Sequence, residues 1–303
     1  MTRPPTPLSG TPSARLPPGS RERLKAALEE DRYRADRTTR ALIRTSHPGA
    51  ARIVAQARGV LSGLDAAALV ARLVGLRSRR RARDGEHITP GRTVLELSGD
   101  VRAILASERT MLNLLMHLSG VATLTARAVR AAHDSRTSLA ILATRKTLPG
   151  LRDLEKAAVM HGGGYPHRRD LSEAVLLKRT HLVLEPLPEA VARVRRRIGP
   201  RPLLEVEVHT LREATAAVRA GADALLIDNR TPHEAQRIVS GLTQQGLRGR
   251  CWIELSGGIT VENLPRYVPT GADAASLGSL THSAPAVPFH LIMSPGRARS
   301  RPA

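Results

Sequence analysis

At 303 residues the chain is long enough for one large domain or two ordinary ones. It carries 47 Lys+Arg against 27 Asp+Glu, a formal charge of +20, and 41% of it is hydrophobic, which supports a packed core and excludes a wholly disordered chain. No apolar run approaches the ~20 residues of a membrane helix and the first twenty residues lack the apolar centre of a secretory signal, so a cytoplasmic protein without membrane attachment is expected.

Residues 1–20 and 295–303 are rich in Pro, Ser and Arg without periodicity and read as disordered tails. An amphipathic helix is predicted from Arg21, then two β-like runs, ARIVAQA and GVLSG, and a helix over LDAAALVARLVG. The densest basic run, Arg77 to His87, reads as a loop or helix end, and TVLELSG as a strand leading into a long helix from Val101. From Ser138 the rhythm changes. Apolar runs LAILATRK, AVLLKRTH, LLEVEV, ALLIDN, CWIELSGG and AASLGS alternate with helical segments LRDLEKAAVM, PEAVARVRRRI, LREATAAVRAG, PHEAQRIVSGL and VENLPRYV. Strand alternating with helix predicts parallel βα units, as a doubly wound sheet or a (β/α) barrel, complete or truncated.

The charge is that of a nucleic-acid binder, but the aromatics are only Tyr33, Tyr165, Trp252, Tyr267 and Phe289, too few for base stacking, and the cations are scattered. Nucleic acid is therefore not the expected partner. The lone Cys251 excludes an internal disulfide and a cysteine-built metal site. Of the cations only Lys25, Lys146, Lys156 and Lys178 are lysines. Lys146 and Lys178 stand at strand ends, where an ammonium has a use that a guanidinium does not serve. Lys25 and Lys156 lie within helices, facing solvent or packing, and Lys156→Ala is expected to be silent.

Arg145, Lys146, Lys178, Glu207, Asp228, Asn229, Ser256, Gly257, Gly258, Gly278 and Ser279 all fall at or just beyond strand carboxyl ends, the rim where barrels carry their sites. SGGIT and GSLTHS, after the last two strands, suit a phosphate, with SGGIT expected to open a helix over VENLPRY whose N-terminus favours an anion. Arg145, Lys146, His167, Arg168 and Lys178 make a cationic set proportionate to a ligand with several carboxylates or phosphates. Glu205, Glu207 and Asp228 add acids suited to magnesium or to ribose hydroxyls; Glu205 and Glu207 share a strand face, and Glu207, nearer the carboxyl end, is the one expected to reach the ligand.

ERTMLNLLMHLSGVATLT, TRKTLPGLRDLEKAAV, GGGYPHR, LLKRTH, EVEV, GADALLIDN, SGGIT and LGSLTHS, in this order, resemble the quinolinate phosphoribosyltransferase family, also called carboxylating nicotinate-nucleotide pyrophosphorylase, from about Ala26 to Pro288. The resemblance implies an α/β fold, an open (β/α) barrel over 131–285 with a smaller N-terminal α+β domain over 21–130 that is joined by a C-terminal strand at 286–294. It implies a homodimer in which Arg109 completes the partner's site, with quinolinate and phosphoribosyl pyrophosphate as substrates. Catalysis would fall to Lys146, Lys178, Glu207 and Asp228, and Mg2+ to Glu207 and Asp228. Substrate would be held by Arg109, Arg145, His167, Arg168 and Asn229, and the 5′-phosphate by Ser256, Gly257, Gly258, Gly278 and Ser279.

The chain departs from the family pattern in having Ala143 in place of an acid, Pro166 in place of an Asn, Ala35 where a Gly usually precedes Asp36, and Arg179-Thr180 where an Asp-Asn pair usually follows Lys178. Arg179 reverses a charge, which opposes a metal and offers a fork of donors to an anion. That departure leaves two other readings: a relative acting on a different heteroaromatic acid, and a basic binding protein without turnover.

Overall fold

The computed structural model describes residues 16–133 and 137–294; the expected tails at 1–15 and 295–303 lie outside the described residues. Leu16 to Gly19 are described and Ser20 opens the first helix, so ordered structure begins before the expected boundary at Arg21. Two units emerge, one of residues 16–124, 149–162 and 284–294, the other of 125–133, 137–148 and 163–283. Among the described residues no helix is long and apolar enough to cross a membrane.

In the first unit the strands are β1 (Pro48–Ala55), β2 (Gly59–Val60), β3 (Arg77–Arg80), β4 (His87–Ile88) and β5 (Thr93–Asp100). The chain's final strand, Phe289–Ser294, pairs antiparallel with β1, which pairs with β5, which pairs with β3. Along β1, Ala51, Ile53 and Ala55 are buried while Arg52 is exposed, the period-two pattern of a strand with one face on a core. Helix Leu64–Leu73 packs against helix Ser20–Glu30, whose Leu24 and Leu28 are buried one turn apart. The basic run expected to be a loop begins instead as β3, an edge strand. Its Arg79 lies opposite Glu96, and neighbouring Arg81 pairs with Glu96 at 2.8 Å, so charges blunt an otherwise open edge.

The sequence assigned helix Arg152–His161 to the barrel, yet it belongs with the first unit. Its polar groups explain this. Fully buried Glu155 meets His117 at 2.7 Å, Asp153 pairs with Arg23 at 3.3 Å, and His161 Nδ1 lies 2.9 Å from Ser62 Oγ. Lys156 is also buried here, at 2% exposure.

The second unit holds β6 (Ala140–Leu142), β7 (Val175–Leu177), β8 (Leu204–Val208), β9 (Ala224–Asp228), β10 (Trp252–Ser256) and β11 (Ala274–Ser276). All are parallel, in the order β7-β8-β9-β10-β11-β6. This is chain order taken around a ring and cut between β6 and β7, the order of an open (β/α) barrel; Tyr165 bridges Leu142 at the free edge of β6. Helices Leu211–Ala220 and Pro232–Gln244 start with capping boxes, Thr210 with Glu213 and Thr231 with Glu234. VENLPRYV, expected to be a helix, forms only two short 3-10 turns, because Pro265 and Pro269 remove the backbone donors that an α-helix would use.

Register decides which side chains share the inner face. Glu205 lies level with Ala224 and Trp252; Glu207 with Leu226, Glu254 and Ala274; Asp228 with Ser256. Leu142, Ala224, Trp252 and Ala274 form a buried apolar cluster. Toward the strand carboxyl ends the same face turns polar.

Candidate active site

The polar upper layer starts with a buried trio. His167, one residue beyond Pro166 and held at φ 52°, reaches Glu254 at 3.1 Å and Glu205 at 3.5 Å through Nε2, and both acids are 2% exposed. Burial acts against charge on this imidazole more than any other single influence. Attraction to Glu254 and the contacts to Glu205 and Glu254 together outweigh it and push the pKa up to about 10. Burial, then the neighbouring charge of Glu254, raises the Glu205 carboxyl. Glu205 therefore serves His167 and not the rim, while Glu207, half-buried two residues on, stands nearer the carboxyl end as expected. Glu254 was missed in the sequence because it hides within the apolar run CWIEL; a lone charge in a fully buried strand was the available signal.

Arg168 follows His167 and donates through Nη1 to Ala174 O at 3.1 Å. Burial, then the charge of Arg145, lowers its pKa, while the charges of Glu205 and Glu254 act the other way. Arg145 Nε is buried with no hydrogen-bond partner among the described residues. Lys146 runs over Gly278, where an added Cβ would lie 2.8 Å from Lys146 Cδ, and the Lys146 carbonyl accepts a bond from Thr281 Oγ1 at 2.7 Å. Lys178 is exposed and directly follows β7; by alternation from Leu176, which pairs with Glu205, it belongs to the inner face.

Ser256 ends β10, and its Oγ lies 3.1 Å from Ser276 Oγ. Gly257 and Gly258 both take positive φ, 82° and 64°. At Gly257 nothing larger fits, since a Cβ would lie 2.4 Å from Asn229 Oδ1 and 2.7 Å from Asn229 N. Asn229, itself at φ 51°, donates its N–H to Ser256 O at 2.9 Å and its side-chain amide to Asp228 Oδ2 at 2.6 Å. The loop after β10, Asn229 and Asp228 are thus one interlocked turn. Because no α-helix follows SGGIT, the expected helix dipole is absent there, and an anion would meet loop N–H groups and the four-residue helix Ser279–His282 after β11.

Glu207, His209 and Asp228 bring their ligating atoms within 4.8 Å of one another. Two carboxylates from adjacent strand ends are the oxygen donors that a hard divalent ion such as Mg2+ takes, so the expected pair fits that ion. His209 was not singled out in the sequence. Arg179 is more than half exposed and lies 3.7 Å from Glu213 and 3.3 Å from His209 Nδ1. Every sequence-predicted site residue lies in the second unit except Arg109, which belongs to the first unit and is exposed on helix Val101–Ala131.

Fold and site define an α/β barrel-type protein that carries cations, glycine-rich loops and a pair of acids at or just beyond the carboxyl ends of its strands. The family model described as quinolinate phosphoribosyl transferase, C-terminal domain, matches residues 121–292, and the N-terminal domain model matches 36–119. Nicotinate-nucleotide pyrophosphorylase (carboxylating) of Mycobacterium leprae is 36% identical over 270 residues, covering 87% of this chain and 93% of that protein. The Homo sapiens protein of the same name is 35% identical over 252 residues, covering 83% and 84%. Among solved structures, a NadC deletion mutant in a cubic space group superposes with a TM-score of 0.87 at 36% identity over 93% of this chain and 99% of that one, and NadC from Streptococcus pyogenes with 0.84 at 35% over 93% and 99%. The chain belongs to the quinolinate phosphoribosyltransferase family.

Proposed function

We propose that this protein is a carboxylating phosphoribosyltransferase that joins quinolinate to phosphoribosyl pyrophosphate, releasing pyrophosphate and carbon dioxide and forming nicotinate mononucleotide for NAD biosynthesis. The observation that carries this reading is the match of both domain models of the family, over residues 36–119 and 121–292, beside a buried Arg145 Nε that has no hydrogen-bond partner among the described residues. A guanidinium with a buried donor left over suits an anion, and a pyridine dicarboxylate offers two carboxylates to such donors.

The remaining residues divide the chemistry. Lys146 and Lys178 would attract the pyrophosphate end, and Ser256, Gly257, Gly258, Gly278 and Ser279 would cradle the 5′-phosphate. As the bond from ribose C1 to pyrophosphate breaks and the pyridine nitrogen bonds to C1, positive charge builds on the sugar, and the fixed carboxylates Glu207 and Asp228 stabilise it. The bond from ring C2 to its carboxylate then breaks, leaving its electron pair on the ring carbon, which takes up a proton. His167, held charged between Glu205 and Glu254, offsets the charge of those two buried acids. Mg2+, held by Glu207 and Asp228, would neutralise charge on the pyrophosphate. We also propose a cytoplasmic homodimer in which Arg109 of one subunit completes the site of the other.

Incubation with phosphoribosyl pyrophosphate, Mg2+ and quinolinate should yield carbon dioxide and a mononucleotide, with nicotinate a poor acceptor. No carbon dioxide release with quinolinate would refute the reading.

A further inference from the structure

Arg179 and His209 are tied to each other beside the acid pair. Arg179 heads the short helix Arg179–Leu182 after β7, and His209 directly follows β8. Glu213 fixes both: its Oε2 accepts the backbone N–H of His209 at 2.7 Å, and its Oε1 lies 3.7 Å from Arg179 Nη1. Arg179 Nη1 points at His209 Nδ1 at 3.3 Å.

A guanidinium only donates, so Nδ1 must accept, and a neutral imidazole then carries its proton on Nε2. That Nε2 is buried with no hydrogen-bond partner among the described residues, and its closest acid is Glu207 Oε1 at 3.7 Å. Asp228 offers its carboxylate within the same 4.8 Å group. An unmet buried donor is costly, and the acid that stands nearest to it is Glu207. A nitrogen that bears a proton has no lone pair for a metal.

We infer that His209 is a positioning residue, turned by Arg179 to the tautomer that faces Nε2–H toward Glu207, and that it takes over part of a divalent ion's task of offsetting the charge of the Glu207 and Asp228 pair. The inference rests on the proposed function for the importance of the acid pair. It absorbs the charge reversal at Arg179: the arginine works through His209 and not by gripping substrate. The acid pair then binds divalent ions weakly, because a hydrogen-bond donor already faces it.

The test is calorimetric titration of Mg2+ alone and Mn2+ alone into the full-length natural protein and three variants, beside quinolinate turnover at varied Mg2+. His209→Ala removes the donor and should tighten binding of both ions about tenfold, a change of about 1.4 kcal/mol. His209→Gln places an amide N–H near the Nε2 position and should restore weak binding. Arg179→Ala frees the proton to move to Nδ1, turning Nε2 into a ligand, and should tighten Mn2+ more than Mg2+. Weaker Mn2+ binding in His209→Ala would make His209 a metal ligand and overturn the inference, as would affinities within twofold across all variants. If His209→Ala fails to fold, the contrast between Arg179→Ala and His209→Gln still decides. A natural protein without quinolinate turnover would refute the proposed function, while the titrations would still decide the role of His209.

Discussion

His167 shows how one residue couples stability to the site. Its folded pKa of about 10 stands above the ordinary value of 6.5, so the stability it contributes is full below about pH 6.5 and is lost as pH rises through about 10. The protein should therefore lose unfolding free energy between those limits, and His167→Gln should flatten that part of the profile in denaturant titrations at several pH values. Removing the partner of two buried acids should also cost roughly 3–5 kcal/mol at neutral pH. The lysines separate in a different way. Lys146→Ala and Lys178→Ala are expected to lower kcat/KM by roughly 10²-fold or more with little change in melting temperature, as loss of a positioned charge in a site does. Lys156, expected from the sequence to be silent, is buried, and Lys156→Ala should instead lower the melting temperature. A Lys178→Ala protein with ordinary kinetics would remove Lys178 from the site.

Among the elements, the turn after β10 depends on two glycines that differ in their surroundings. At Gly257 an added Cβ would collide with Asn229, whereas at Gly258 it would meet open space. Both substitutions strain a positive φ, at about 1 kcal/mol each. Only Gly257→Ala should also displace Asn229 and Asp228, raising KM for phosphoribosyl pyrophosphate by roughly tenfold or more, while Gly258→Ala should change it much less. Initial-rate measurements on the two variants check this, and equal effects would mean that backbone strain alone matters. The same turn marks a limit of sequence reading. The glycine pair was legible, but the helix expected after it was not formed, because Pro265 and Pro269 interrupt a run whose apolar spacing alone looks helical.

For the whole molecule, the proposed sharing of sites can be tested by mixing. Arg109→Ala and Lys178→Ala proteins, each expected to be inactive, should regain activity when unfolded and refolded together, because a mixed dimer contains one site with both residues intact. A mixture that contains heterodimers and stays inactive would rule out the sharing. Much of this protein was determined by sequence alone: six strands ending in polar residues and the ordered motifs around Arg145, Lys178, Asp228 and Gly257 specify a barrel and its rim, since strand periodicity and strand-end placement are local properties. Which polar residues act as partners was decided only by the tertiary structure. Glu205 and Glu254, some fifty positions apart, meet at His167 because register brings β8 and β10 to one inner face. His209 meets Arg179, and helix Arg152–His161 joins the first unit through Glu155 and His117, for the same reason: a side chain's partners across a folded chain depend on register and packing, which no local spacing encodes.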